Sequence, residues 1–167
     1  MKNRLHKEKL PFKEGTWFAI PLRQGGYAVG RVARHTPKGE IILAYFFGPK
    51  RERVPTLDEI DQLEPHEAVK VIRTSELGLM DGSWPIIGNS PRWERERWSI
   101  PAFIRREPLL DIPGETLPPP RAWRVIYSDE NKVVSEHRIP YETTGLEPDG
   151  FSGHKAAEIH LSQILDA

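Results

Sequence analysis

Six histidines are the first side chains to consider for metal binding or proton transfer. No two of them show the HxH or HxxxH spacing of a metal site, and HExxH is absent. His154 and Glu158 lie four residues apart on a predicted C-terminal helix, where they could face one ligand. His160 comes two residues after Glu158, about 160° around that helix from it, so a third ligand would have to come from another element. The sequence therefore predicts no metal site and no cofactor. The histidines are His6, His35, His66, His137, His154 and His160.

Ser152, in the run Gly150-Phe151-Ser152-Gly153, resembles the front of a GxSxG nucleophile elbow. The second glycine of that motif is replaced by His154, and residues 140–151 are rich in turn residues rather than strand formers. We therefore interpret Ser152 as the N-cap of the C-terminal helix. Because the chain has no cysteine, thiolate catalysis and disulfides are excluded.

Other catalytic signatures are incomplete. Paired carboxylates occur at Asp58/Asp61 and at Asp129/Glu130, but adjacency indicates little in a chain with 24 acidic residues. Neither a Walker loop nor GxGxxG occurs. The sequence thus gives no positive signal for an enzyme.

The run 91–98, PRWERERW, interleaves two tryptophans with three arginines. Trp and Arg are the residue types that most often dominate protein–protein binding energies. The alternative is structural, with Trp93 and Trp98 packed inward and the charges facing solvent. Trp84, beside Gly82 and before Pro85, fits either role, whereas Trp17 and Trp123 lie in strand-like apolar runs and are predicted to be core residues. The predicted partner-binding residues are Trp84, Arg92, Trp93, Arg97 and Trp98.

The elements that would position these residues begin with a hairpin. Strands are predicted at about residues 16–22 and 26–34, around a Gly25-Gly26 turn. A third, at Glu40–Phe47, has the continuous apolar run of a strand buried on both faces, and it follows a turn at 37–39. This arrangement predicts an antiparallel meander or a small open barrel.

Shorter elements follow. Thr56 is the predicted N-cap of a short helix, and the C-terminal helix carries a core-facing stripe of Ala157, Leu161, Ile164 and Leu165. A proline-rich crossing segment is predicted at 107–121. The fold class is α+β: a β-rich domain with short helices and a C-terminal helix. The remaining predicted elements are strands at Ala68–Arg73 and Trp84–Ile87, a helical turn at 75–80, a hairpin at Trp123–Ser128 and Val133–Ile139, and the C-terminal helix at about Gly153–Leu165.

Composition limits the class of protein. The 167 residues predict a loose basic tail at 1–12 and one domain at 13–167. The balance of 24 basic and 24 acidic residues argues against a nucleic-acid partner. No apolar run reaches the roughly 18 residues of a membrane span, and the N-terminus lacks the apolar core of a secretory signal. Together with the absence of cysteine, this predicts a cytoplasmic protein.

Several composite runs of this sequence resemble the immunity protein 26 family of bacterial polymorphic-toxin immunity proteins. The resemblance spans about residues 15–165. It implies a compact, β-rich α+β fold and a cytoplasmic antidote that binds a cognate protein toxin and blocks its active site. It transfers no catalytic residue. The carrying runs are GTWFAIPL at 15–22, GYAVGRV at 26–32, DGSWPIIG at 81–88 and the stretch Trp98–Phe103.

Two alternatives stay open beside the immunity hypothesis. The same family label is attached to a small phosphotriesterase, which implies metal-dependent organophosphate hydrolysis, with His154 and Glu158 converging on other His or Asp residues. The second alternative is a β-barrel module that binds a ligand or peptide. It predicts an aromatic groove near Trp17, Tyr27 and Tyr45. The oligomeric state is left open by the sequence.

Overall fold

A computed structural model describes residues 10–36, 40–107, 113–116 and 119–166. Three predicted features fall partly or wholly on other residues: the basic tail, the turn at 37–39 and the proline-rich segment. Their parts at 1–9, 37–39, 108–112 and 117–118 lie outside the described residues. Within the described residues, no helix is long and apolar enough to cross a membrane.

The antiparallel meander predicted from the sequence forms the first sheet, in the order β4-β3-β2-β1-β5. Alternating and continuous apolar runs produce these strands, and the Gly25-Gly26 turn, with both residues at positive φ, joins the first two. β3 is longer than predicted, and β4 and β5 each begin two residues later than predicted. The strands are β1 (Thr16–Pro21), β2 (Tyr27–His35), β3 (Ile41–Arg51), β4 (Lys70–Ser75) and β5 (Ile86–Asn89).

The first sheet does not close into a barrel. In the part of the chain that the structure describes, β4 and β5 are its two edges and do not pair with each other. Ser152 lies along the outer edge of β4 instead: its N–H donates to the Arg73 carbonyl (3.0 Å), and its carbonyl accepts from the Ser75 N–H (3.1 Å). The prediction that Ser152 caps the last helix is therefore wrong, because its backbone pairs with a sheet edge and Gly153 takes the N-cap position.

A second sheet has the order β8-β7-β6-β9, with β6 and β9 parallel. Its β7–β8 hairpin was predicted, whereas β6 and β9 were not. β9 has only two residues, too few to show any periodicity. The strands are β6 (Phe103–Arg106), β7 (Ala122–Tyr127), β8 (Val133–Ile139) and β9 (Glu147–Pro148).

Helical segments are short except for the last. The helices are α1 (Leu57–Ile60), α2 (Leu77–Met80) and α3 (His154–Leu165), with 3-10 turns at Pro65–Glu67 and Arg95–Arg97. The buried Ala157 and Leu161 confirm most of the predicted stripe of α3. Ile164 was also predicted to face the core, but it is 42% exposed. Leu165, the fourth residue of the predicted stripe, packs against the core as expected, close to Gly48.

Both faces of the first sheet are covered by apolar side chains. One face packs against α3 through a cluster that includes Phe18, Phe46 and Trp84. The other face carries a second cluster, with Trp17, Phe47 and Trp98, that extends to Phe103 of the second sheet. β3 contributes to both clusters, as its continuous apolar run predicted.

Gly30 provides a test of how tightly the first cluster is packed. A Cβ at this position would lie 2.3 Å from Cζ of Phe18, whose ring stacks on Trp84 with an interplanar angle of 3°. Both rings are fully buried. We expect Gly30→Ala to lower the free energy of unfolding by about 1–3 kcal/mol, measured by denaturant titration.

Gly153→Ala is the matched control for this substitution. No atom lies within 4 Å of a Cβ built at Gly153, and its φ is −60°. Alanine is a poorer N-cap than glycine, so we expect a small loss of stability, below about 1 kcal/mol. Equal effects of the two substitutions would contradict the packing described for Phe18.

Candidate functional site

The guanidinium of Arg31 lies among three tryptophan rings. Arg31 in β2 is directly opposite Trp17 in β1, so the two side chains share one face of the sheet. Trp93 and Trp98 come from the segment that follows β5. Cζ of Arg31 lies 4.6 Å from the ring centre of Trp17 and 4.7 Å from those of Trp93 and Trp98. We call these four residues the tryptophan cage. At these distances each ring face attracts the cation.

Burial makes Arg31 unusual for a charged residue, since only 3% of it is exposed. Its Nε donates to the Gly15 carbonyl at 3.1 Å, and no described residue accepts a hydrogen bond from its Nη2. Desolvation lowers the pKa of Arg31 to about 10, and the negative charge of Asp61 opposes this shift. The ring faces therefore supply much of the electrostatic stabilisation that water would otherwise give.

Asp61 fixes the outer side of the tryptophan cage. Its Oδ1 accepts from the Trp17 indole N–H at 3.2 Å, and its Oδ2 accepts from the Ser90 hydroxyl at 2.9 Å. In the carboxylate pair Asp58/Asp61 noted in the sequence, Asp61 thus binds the indole of Trp17 and the segment that contains Ser90. This geometry positions Trp17 and is not an arrangement for acid–base catalysis.

Ion pairs and hydrogen bonds of two arginines hold the segment that carries Trp93 and Trp98. Arg34 in β2 donates to the Trp98 carbonyl (3.0 Å) and to Asp129 in the β7–β8 turn (3.0 Å). Arg95 also binds Asp129 (2.8 Å), and it binds Glu14 (2.8 Å). The carboxylate pair Asp129/Glu130 is thereby used structurally, through Asp129, to join the second sheet to the first.

Arg73 in β4 makes a second connection to the same hairpin. It donates to the Asn131 side chain (2.8 Å), lies 4.0 Å from the Tyr127 ring centre and pairs with Asp149 (3.4 Å). The Tyr127 hydroxyl donates to Asp149 at 2.6 Å. Two arginines of the first sheet therefore hold the β7–β8 hairpin in place.

The outer surface of the tryptophan cage is formed by the run 92–97. Trp93 is partly buried, whereas Arg92 and Arg97 are exposed. Arg97 pairs with Glu64, so this surface adjoins the acidic stretch 57–67. Three of the five predicted partner-binding residues, Arg92, Trp93 and Arg97, thus lie together at a surface.

Trp84 and Trp98, the other two predicted partner-binding residues, are core residues, 0% and 3% exposed. Trp98 packs against Trp17, Tyr45 and Phe47 at ring-centre distances of 5.1–6.0 Å. Trp84 stacks on Phe18 in the other cluster, on the opposite face of the sheet. Direct contact of these two residues with a partner stays a prediction, and the structure places both side chains in the core.

Trp123 departs from its prediction in the opposite direction. It was expected in the core but is partly exposed on the second sheet. Its ring lies between Arg105 and Arg138, with Cζ distances of 6.0 and 5.6 Å, and its indole N–H donates to Glu107 at 3.0 Å. Charged neighbours on adjacent strands, which a single strand pattern does not reveal, keep it at the surface.

The structure does not bring the candidate metal ligands together. His154 packs edge-on near Trp84 (6.3 Å), and the buried Glu158 pairs with Lys155 (3.3 Å). No group of three His, Cys, Asp or Glu residues that could hold a metal occurs among the described residues. His160 is exposed. The convergence that a metal-dependent phosphotriesterase requires is therefore not found there.

The aromatic groove expected for a ligand-binding barrel is also not formed by the described residues. Trp17 and Tyr45 are 0% and 7% exposed and pack in the second cluster. The Tyr45 hydroxyl donates to the Ser99 carbonyl, and burial raises the pKa of Tyr45. Only Tyr27 is partly exposed.

Sequence reasoning missed the structural roles of Arg31, Arg34 and Asp61, although Asp61 was noted as one of a carboxylate pair. A signal for Arg31 was present: a hairpin turning at Gly25-Gly26 with Leu22 opposite Gly26 places Arg31 opposite Trp17. Trp93 and Trp98 are remote in sequence, so their approach to Arg31 could not be deduced from that hairpin.

The family model of immunity protein 26 matches residues 13–110 of the chain. The match covers more than half of the sequence and includes all four residues of the tryptophan cage. This protein therefore belongs to the immunity protein 26 family, as the resemblance implied, and an immunity role in general follows from that membership. No curated protein and no solved structure gives a significant match. β7, β8, β9 and α3 lie beyond the matched region.

Removal of the cation tests the tryptophan cage. We expect Arg31→Ala to lower the free energy of unfolding by about 2–4 kcal/mol, because the rings lose the cation and a cavity forms. Near-UV circular dichroism should change as the indoles reorient. Arg92→Ala, at an exposed arginine of the same surface, is the control and should stay within about 0.5 kcal/mol. Similar effects of both variants would contradict this account of Arg31.

Asp129 gives a pH-dependent test. Hydrogen bonds from Arg95 and Arg34 hold the pKa of Asp129 below its ordinary value. Its ionised form therefore stabilises the fold above about pH 4, and this contribution disappears as pH falls through the folded-state pKa. We expect Asp129→Asn to be less stable than wild type at pH 7, with the difference vanishing in acid.

Glu130→Gln is the matched control for Asp129→Asn. Glu130 and its partner Lys132 are 71% and 76% exposed. Its substitution should change thermal stability little at any pH. If the difference in stability between the wild type and Asp129→Asn does not change with pH, the ion pairs of Asp129 do not act as described.

Proposed function

We propose that this protein is the cytoplasmic antidote to a cognate polymorphic toxin. It binds the toxin and covers the toxin's functional surface, and the contact is centred on Trp93. Membership of an immunity protein family supports a toxin as the general class of partner. The mechanism is occlusion by shape and charge, with no covalent chemistry.

The observation that carries this proposal is the support beneath Trp93. Its ring lies over the Arg31 guanidinium, 6.1 Å from the ring of Trp98. A Cβ at Gly15, whose φ is +94°, would come within 2.8 Å of the Trp93 ring, so glycine allows the close approach. A tryptophan already held in one orientation loses little conformational entropy when a partner packs on it.

Charges around Trp93 favour one kind of partner. The neighbouring stretch 57–67 contains five acidic residues and no Lys or Arg, and Glu94 and Glu96 are exposed beside Trp93. Asp61 and Glu64 connect this stretch to Ser90 and Arg97. A toxin surface with an apolar pocket and a basic rim would complement it. Exposed charges of this kind accelerate association more than they strengthen the complex.

Co-expression tests the function itself. A candidate toxin from the neighbourhood of the gene for this chain is expressed with and without it, and the pair is then purified through a tag on the toxin. Rescue of growth together with a stable complex is expected. Rescue without a complex would contradict occlusion, and neither rescue nor a complex would exclude that toxin as the partner.

Trp93→Ala tests the proposed centre of the contact. We expect the dissociation constant of the complex to rise about 30-fold or more, which is about 2 kcal/mol, measured by titration calorimetry. Trp123→Ala is the matched control, because it removes another partly exposed tryptophan that is flanked by arginine. Its dissociation constant should change less than about threefold.

Both variants must first show the circular dichroism of the folded protein. Arg97→Ala, at an exposed residue, is a second test that leaves the tryptophan cage intact. It should speed association, because it removes a positive charge that repels the basic rim of the toxin and frees the carboxylate of Glu64. Unchanged affinity in Trp93→Ala, or equal losses in both tryptophan variants, would refute Trp93 as the centre of the interface.

A further inference from the structure

β8 is an edge strand that other described residues leave largely uncovered. It pairs with β7 on one side, and no described strand lies on its other side. Each of its seven residues is partly or fully exposed. Val133 and Val134 are 47% and 62% exposed, which is unusual for neighbouring apolar residues in a strand. The outer backbone groups of β8 are therefore open to another strand.

Edge strands are usually protected against pairing by charges, proline or short length. β8 has seven residues and contains no proline. Its charges, Glu136 and Arg138, have opposite signs and lie two residues apart, so they share one face. Glu136 pairs with Arg105, and Arg138 lies 5.6 Å from the Trp123 ring centre. Neighbours in their own sheet thus hold both charges in place.

A second copy of the chain can pair with this edge in a register that places opposite charges face to face. In a symmetric antiparallel pair, the residue on the two-fold axis faces its own copy. With His137 on the axis, Glu136 faces Arg138 of the second copy, and the same ion pair forms again by symmetry. With Glu136 or Arg138 on the axis, two like charges face each other. The alternating charges that would repel in those registers therefore favour the register centred on His137.

We infer that β8 mediates a symmetric homodimer in which two four-stranded sheets join edge to edge about His137. β8 lies beyond residues 13–110, the region shared with the family model, so the dimer contact is made by a part of the chain outside that match. This inference does not depend on the proposed toxin contact at Trp93, which can fail or hold separately.

Sedimentation velocity and light scattering on the full chain, from about 1 to 200 µM, test the dimer. Wild type should change from monomer to dimer with concentration. Glu136→Arg and Arg138→Glu should each raise the dimer dissociation constant about tenfold or more, because like charges then face each other twice. The double swap Glu136→Arg/Arg138→Glu should restore most of the association.

Arg23→Glu is the matched control, since Arg23 is exposed in the turn between β1 and β2 and belongs to the first sheet. It should leave the dissociation constant within about twofold of wild type. Hydrogen exchange provides an independent readout: amides of β8 should become protected as concentration rises. A wild type that stays monomeric throughout would overturn the inference. So would a dimer that Arg138→Glu does not weaken.

Discussion

The burial of the Arg31 guanidinium among tryptophan rings is the constraint on which the described site depends. A buried cation needs compensation for the water that it loses, and the described residues provide it through three ring faces, one carbonyl and the nearby charge of Asp61. Those rings come from β1 and from the segment after β5. The need to surround the Arg31 cation with tryptophan rings therefore fixes the path of the segment after β5 and places Trp93 at the surface.

Two further arginines of the first sheet stabilise its contact with the second sheet through polar interactions. Arg34 lies in β2 and Arg73 in β4, the two strands that flank β3. They bind the β7–β8 turn through Asp129 and Asn131. Their bonds to carbonyls and side-chain oxygens make the contact between the sheets directional, whereas the apolar contact of Phe103 alone is not. The chain has equal numbers of basic and acidic residues, and some of them form specific ion pairs between the sheets, such as that of Arg34 with Asp129.

Local pattern predicted the elements that repeat a simple period. The alternation in β1 and β2, the apolar run of β3, the β7–β8 hairpin and the helix α3 were all identifiable in this way. Features that depend on residues remote in sequence were not. Tryptophan is a residue type typical of protein contacts, so Trp84 and Trp98 were predicted to contact a partner. Only the three-dimensional packing shows that Trp84 is buried in the first apolar cluster and Trp98 in the second. Trp123 was misassigned for the reverse reason, because Arg105 and Arg138 flank it from neighbouring strands.

The limit of the family match at residue 110 divides the second sheet between β6 and β7. β6 buries Phe103 and Ile104, yet within the described residues its hydrogen-bonded neighbours are β7 and β9, which both lie beyond the match. A strand that buries its side chains must also pair its backbone groups. In this chain, residues after 110 therefore complete the module that contains the tryptophan cage. Among the residues that the structure describes, their outer strand β8 is an edge of the second sheet.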